Sequence, residues 1–259
     1  ALARASGEPM DAIIADYERF LAEADPAEAA RRKSRPPRQW DSVAPGAIAQ
    51  EADAAAALLE RLDTAENARA IDIAILRHLL EKRLIAARHD LARIPFTGDS
   101  GFHSQPVFAA ARLKIGGRKD AEAWIARLEA LPALFDAHMA NMRRGIETGW
   151  TAHTDPLATT IDQIREQAGG EPRASELYAP FTRLPDTIAK PDRERLQREG
   201  ARAVSGAMTA YRELLAFMET EYAPHARAKP GLASLPGGRR VYADPLAHHT
   251  AGAGYSPQE

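Results

Sequence analysis

The sequence contains no cysteine. That absence removes disulfide staples, thiolate metal sites and a cysteine nucleophile together. Export stays open, because a chain of 259 residues can bury enough core to do without staples. Aromatic residues are scarce at 6%, and no alternating run of Val, Ile, Thr or Tyr lies between turn signals, so little here favours strands. No stretch approaches the ~18 uncharged apolar residues that a membrane span needs. Charge of one sign is lacking too. Against 34 Lys and Arg stand 36 Asp and Glu, which leaves no global field to gather nucleic acid or anionic lipid.

What the sequence has in quantity is alanine, roughly a fifth of all residues. Alanine loses no side-chain entropy on entering a helix, so the predicted fold class is all-α. The expected architecture is a multi-helix array with long irregular loops near residues 94–118 and 224–255. Residues 1–259 read as one helical domain or half-domain, with a Pro-rich basic loop at 31–46 and an extended tail at 224–259.

Apolar spacing predicts the individual helices. The first runs from about Pro9 to Ala24, with Ile13, Ile14, Tyr17, Phe20 and Leu21 along one stripe. Arg31, Arg32, Lys33, Arg35 and Arg38 then crowd around Pro36 and Pro37, which forbid helix. We read this stretch as a solvated loop, partly neutralised by Asp25 and Glu28. A second helix is predicted at about Pro45–Leu62. A third spans about Glu66–Arg93, with Ile71, Ile75, Leu79, Leu80 and Leu84 as a broad core face. Helices at about 120–130 and 132–147 follow, with Pro132 suited to a first turn. Asp155 reads as the N-cap of a helix ending near Gly169. The longest helix runs from Pro191 to about Tyr222 and turns Leu196, Ala203, Ala207, Ala210, Leu214, Phe217, Met218 and Tyr222 one way. Ser256, Pro257 and Glu259 form the opening of a helix, a capping box with Pro at the first helical position. The expectation is that a further helix belongs there.

Chemistry is harder to find. Helical metal sites need two His at i, i+4 or a Glu-x-x-His pair. None of the eight His residues is placed so, and no metal ligand is assigned. Asp99, Ser100 and His103 bring triad residue types into one short loop, but triads normally collect their members from distant segments. Catalytic residues are therefore assigned to none, and Asp99, Ser100 and His103 are read as polar groups lining a cleft. The alternative is a turn in which Asp99 and Ser100 bond nearby backbone. Gly237-Gly238-Arg239-Arg240 lacks the Gly-Lys-Ser/Thr ending of a phosphate loop. Trp40, Trp124 and Trp150 are too scattered along the chain to suggest a stacking platform.

Four stretches carry a resemblance. They are Phe96–His103, Arg127–Pro132 with the helix through Asn141 and Gly145, Tyr211–Phe217, and Leu235–Gly238 through Tyr242 to Thr250 and on to Glu259. In this order and spacing they resemble the amino-terminal half of the bacterial "domain of unknown function 885" proteins. The resemblance implies a largely helical, deep-cleft fold like that of zinc metallopeptidases, with a His-Glu and Pro-Gly-His-His metal motif in a carboxy-terminal half. No such motif stands in this sequence, so zinc is implied for the full-length family and no cofactor is expected in this chain. The implied partners are that carboxy-terminal half and a peptide substrate, with no nucleic acid and no membrane span. Tyr242 joins the cleft candidates as a hydrogen-bond donor to a developing oxyanion. Some members carry export signals, so the lean is toward an exported, periplasmic bacterial protein. The expected function is a substrate-cleft half that is not self-sufficient for hydrolysis. The alternative is a stand-alone, non-catalytic helical binding module. The first reading expects a large exposed apolar face; the second expects a closed polar surface.

Overall fold

A computed structural model describes residues 8–250 and 253–254. Among them the chain forms α-helices, short 3₁₀ and π turns, and isolated bridges in place of strands. The all-α expectation holds. Helices α1 (Met10–Ala24), α2 (Pro26–Arg32), α3 (Pro45–Leu62) and α4 (Ala70–Arg88) make the first half. Helices α5 (Gln105–Arg112), α6 (Arg118–Glu129), α7 (Leu131–Thr148), α8 (Thr154–Ala168), α9 (Lys190–Phe217) and α10 (Gly238–His249) make the second. The capping box at 256–259 lies outside the described residues.

Two cores result. α1, α3 and α4 bury Met10, Ile13, Phe20, Leu58, Leu62, Leu76 and Leu80 against one another. Polar clamps close this unit from the side: Arg61 bonds Glu8 and Asp16, and Arg83 bonds both Asp25 and Glu51. The larger core is gathered around α9, whose buried stripe includes all eight residues expected to face inward. The stripe is regular, so its period defined one face, and Gly200, Val204, Met208 and Tyr211 widen it. Trp124, Phe135, Met142, Leu177 and Phe181 pack against it. The segment before α3 is pinned to this core by Trp40 Nε1–H donating to the Arg127 carbonyl at 2.7 Å and Asn141 Nδ2–H donating to the Val43 carbonyl at 2.7 Å.

The structure departs from the sequence reading in four places. The face of α4 is rotated: Leu76 and Leu80 are buried, with Ile73 and Leu84 packed beside them, whereas Ile71, Ile75 and Leu79 are exposed at 59%, 53% and 40%. Apolar residues surround this helix, so periodicity alone does not select the side that meets α1 and α3. α4 also ends sooner than expected, because Asp90 adopts a left-handed φ of 48° before a 3₁₀ turn at Leu91–Arg93. Next, short helices appear where none was expected: α2 fills the stretch just before the 31–46 loop, which stays irregular from Lys33 to Ala44, and α5 lies inside the 94–118 segment. α2 begins at Pro26 after Asp25, and α5 carries Pro106 in its first turn, both at positions where proline loses nothing.

The fourth departure is the tail. The 224–255 stretch is not extended throughout, because it contains α10. The helix starts at a left-handed Gly237 (φ 67°), and Trp150, Leu235 and Val241 form a small third core beneath it. Gly238 sits so tightly that a Cβ would overlap the Leu232 carbonyl oxygen. Backbone cannot step aside as a flexible side chain can. Gly238→Ala is therefore expected to loosen α10 at a cost of about 1–3 kcal/mol, seen as faster tryptic cleavage at Arg239 and Arg240. Unchanged cleavage would refute the crowding.

Candidate functional site

The loop after α4 turns tightly. Phe96 and Gly101 form a bridge, and the Thr97 N–H donates to the Ser100 carbonyl at 2.7 Å. Within this turn Thr97 Oγ1 donates to Asp99 Oδ1 at 2.5 Å, and Ser100 Oγ lies 3.5 Å from the same carboxylate oxygen. The Thr97 hydroxyl, followed by local backbone N–H groups, holds the Asp99 carboxyl below its usual range. Asp99 and Ser100 thus face solvent in a self-bonded turn.

His103 points the other way. It is 1% exposed and its Nε2 meets Gln163 Oε1 of α8 at 2.7 Å, while Nδ1 is buried without a partner. Burial lowers its pKa, and the Gln163 contact opposes this only in part. Its carbonyl accepts the Tyr211 hydroxyl at 2.6 Å, which ties the loop to α9. His138 of α7 stacks on Phe102 with ring centroids 4.3 Å apart. The four cleft candidates do not form one cluster: Asp99 and Ser100 share a turn, and His103 belongs to the core.

Tyr242 lies elsewhere, 47% exposed on α10. It lines a cavity of about 640 Å³ together with Leu232, Arg239 and Arg240, and none of Asp99, Ser100 or His103 borders it.

On the opposite side of α10 the helix docks against α4. His89 Nε2 meets Asp244 Oδ2 at 2.8 Å, Arg88 reaches the same oxygen at 3.3 Å, and His78 stacks on His248 at 3.9 Å. The His89 contact, then the charges around it, lowers the Asp244 pKa. Burial first, then the neighbouring His78, lowers that of His248. Three imidazoles (His78, His89 and His248) and the carboxylates of Asp244 and Glu81 approach this seam, yet among the described residues no three His, Asp or Glu side chains converge as ligands. The described side chains at this seam do not form a zinc-ligand set.

Sequence reasoning missed a further cavity of about 580 Å³ between the 36–41 segment and helices α5 and α6. Its walls include Trp40 and Trp124, whose rings meet edge to face at 6.4 Å. The two tryptophans thus form a pair after all. The Arg127 guanidinium carbon lies 3.6 Å from the Trp40 ring centroid. Residues 87 positions apart leave no local signal of such a meeting. Only the odd placement of a Trp in a Pro-rich basic stretch hinted at it.

No helix among the described residues is long and apolar enough to cross a membrane. No curated protein matches the chain. Residues 26–259, which span the turn at Phe96–Gly101, the α9 core and the α10 cavity, match the family described as "Bacterial protein of unknown function (DUF885)", and the chain belongs to that family.

Proposed function

We propose that this chain is the substrate-cleft half of a zinc-peptidase-like protein and works with a carboxy-terminal half that supplies the metal. The observation that carries the reading is the stripe Ile71, Ile75 and Leu79 along α4, three large aliphatic side chains facing water one turn apart. Such a stripe is costly in solvent and suited to a helix packed against it. The Tyr242 cavity supports the reading. Its phenol hydroxyl, beside Arg239 and Arg240, suits a peptide carbonyl whose oxygen gains charge during hydrolysis.

The test is the intact mass of the protein from its native source, with zinc analysis and a peptide-hydrolysis assay on the same sample. The expected result is a polypeptide about twice as long, about one zinc, and activity that the 259-residue chain alone lacks even with added zinc. In the native protein Tyr242→Phe is expected to lower kcat by about 100-fold with little change in KM. A metal-free native protein of 28.2 kDa without hydrolytic activity would overturn the reading in favour of a stand-alone binding module. Unchanged kcat in Tyr242→Phe would remove the tyrosine from it.

A further inference from the structure

The cavity between the 36–41 segment and helices α5 and α6 holds a cation, Arg127, that makes no direct ion pair, with Asp41 as the nearest acid on the same wall. Arg127 is partly buried and its Nε is buried with no hydrogen-bond partner, and Asp41 acts on it through space rather than through a direct ion pair. Burial lowers its pKa to about 10, Asp41 opposes the shift in part, and nearby Arg31 pushes further down. A guanidinium removed from water is ordinarily matched by an anion, because desolvation is otherwise uncompensated.

The acids nearby are otherwise engaged. Asp120 accepts the Gly116 and Gly117 backbone N–H groups at 2.9 and 3.0 Å and caps α6. Asp41 accepts a backbone N–H from Ala27 and feels the Arg31 and Arg127 charges only through space, and burial, with Asp25 next, raises its pKa. Arg31 is bonded to Glu28. Arg112 stands exposed at the rim and adds positive charge there.

The walls are aromatic and apolar. Trp40 and Trp124 flank Arg127 at 3.6 and 5.6 Å, and Phe108 is 46% exposed on the α5 side. Trp40 is held in place by its own bond to the Arg127 carbonyl. A volume of about 580 Å³ suits a small organic ligand. A planar guanidinium stacked on an indole, with its Nε–H buried and unpartnered, favours an anion that is planar, bidentate and attached to an apolar body.

We propose that this cavity binds a carboxylate carried on an aromatic or apolar body, with Arg127 as the partner of the anion and Trp40, Trp124 and Phe108 as the walls for the body. The site stands or falls apart from the peptidase reading, because it uses neither the Tyr242 cavity nor a metal.

Calorimetric titration of the unaltered chain with 3-phenylpropionate and with its uncharged amide tests it. The acid is expected to bind about tenfold or more tightly than the amide, the usual scale of a charge-assisted bond. Quenching of tryptophan fluorescence should accompany binding. Arg127→Gln should erase the difference between acid and amide, whereas Arg127→Lys, which keeps the charge but loses the planar fork, should retain part of it. If Arg127→Gln fails to fold, the acid–amide comparison on the unaltered chain still decides. The source of the carboxylate is read from acetyl-Ala-Ala-Phe with a free carboxy terminus. Tighter binding than phenylpropionate identifies a peptide chain end, and weaker binding identifies a free aromatic acid. Equal binding of acid and amide, or inorganic phosphate binding as tightly as the acid, overturns the proposal.

Discussion

Acidification from about pH 7 to about pH 4.5 is expected to cost the fold roughly 2–3 kcal/mol through His138 alone. The imidazole is buried in α7 against Phe102, and burial lowers its pKa from 6.5 to about 4. Above pH 6.5 the ring is neutral in folded and unfolded chains alike, and the contribution is fully present. As the pH falls below that value, the unfolded chain takes up a proton that the folded one refuses, and stability drops until about pH 4. His103 shifts in the same direction and adds to the effect. The thermal midpoint of the native chain should therefore fall roughly 5–10 °C further than that of His138→Leu over this range. Carboxylates titrate in both proteins, so their share cancels in the comparison. Equal losses in the two would show that His138 is protonated freely within the fold.

Trp124→Ala is expected to destabilise the protein by about 4 kcal/mol. The side chain is 2% exposed, and its Nε1–H donates to the Leu177 carbonyl at 3.0 Å. The indole therefore joins α6 to the 3₁₀ segment Glu176–Arg183 and also braces Trp40. Truncation removes a large buried surface, leaves a cavity in close-packed surroundings and strands a carbonyl. Trp124→Phe keeps most of the packing and loses the hydrogen bond, so about 1–2 kcal/mol is expected. Denaturant midpoints measure both. Similar costs for Ala and Phe would mean that the hydrogen bond dominates and the packing account is wrong.

The two substitutions also separate what kinds of information the chain carries. Burial of the α9 stripe follows from its spacing, because one regular apolar face on a polar helix leaves a single way to pack. α4 offers apolar groups on several sides, and the choice of Leu76 and Leu80 over Ile75 and Leu79 depends on where α1 and α3 lie. α2 and α5 were legible in principle from Asp25-Pro26 and Ser104-Gln105-Pro106, since proline in a first turn marks a start as readily as a break. The same holds for α10, whose glycine pair looked like a plain turn. Gly237 does take the left-handed turn conformation, but the helix begins at the next residue because the Trp150–Leu235–Val241 core supports it.

The candidate site was less legible than the fold. Asp99 and Ser100 sit in the local hydrogen-bonded turn that their side chains favour, a short-range property of neighbouring residues. The burial of His103 could not be read that way, because it depends on Gln163 and Tyr211, which arrive from distant helices. The cavity at Arg127 is further still from any linear pattern. Trp40, Arg112 and Arg127 each read as ordinary residues of a loop or a helix surface, and their meaning comes from convergence.

By itself the sequence determined the helical class, most helix positions and the inward face of α9, because propensity and periodicity act within a few residues. Only the tertiary structure decided which side of α4 is buried, that the tail folds back as α10, and that a desolvated arginine faces two tryptophans. Those outcomes depend on contacts between distant segments, and no local spacing encodes the free energy that such contacts release.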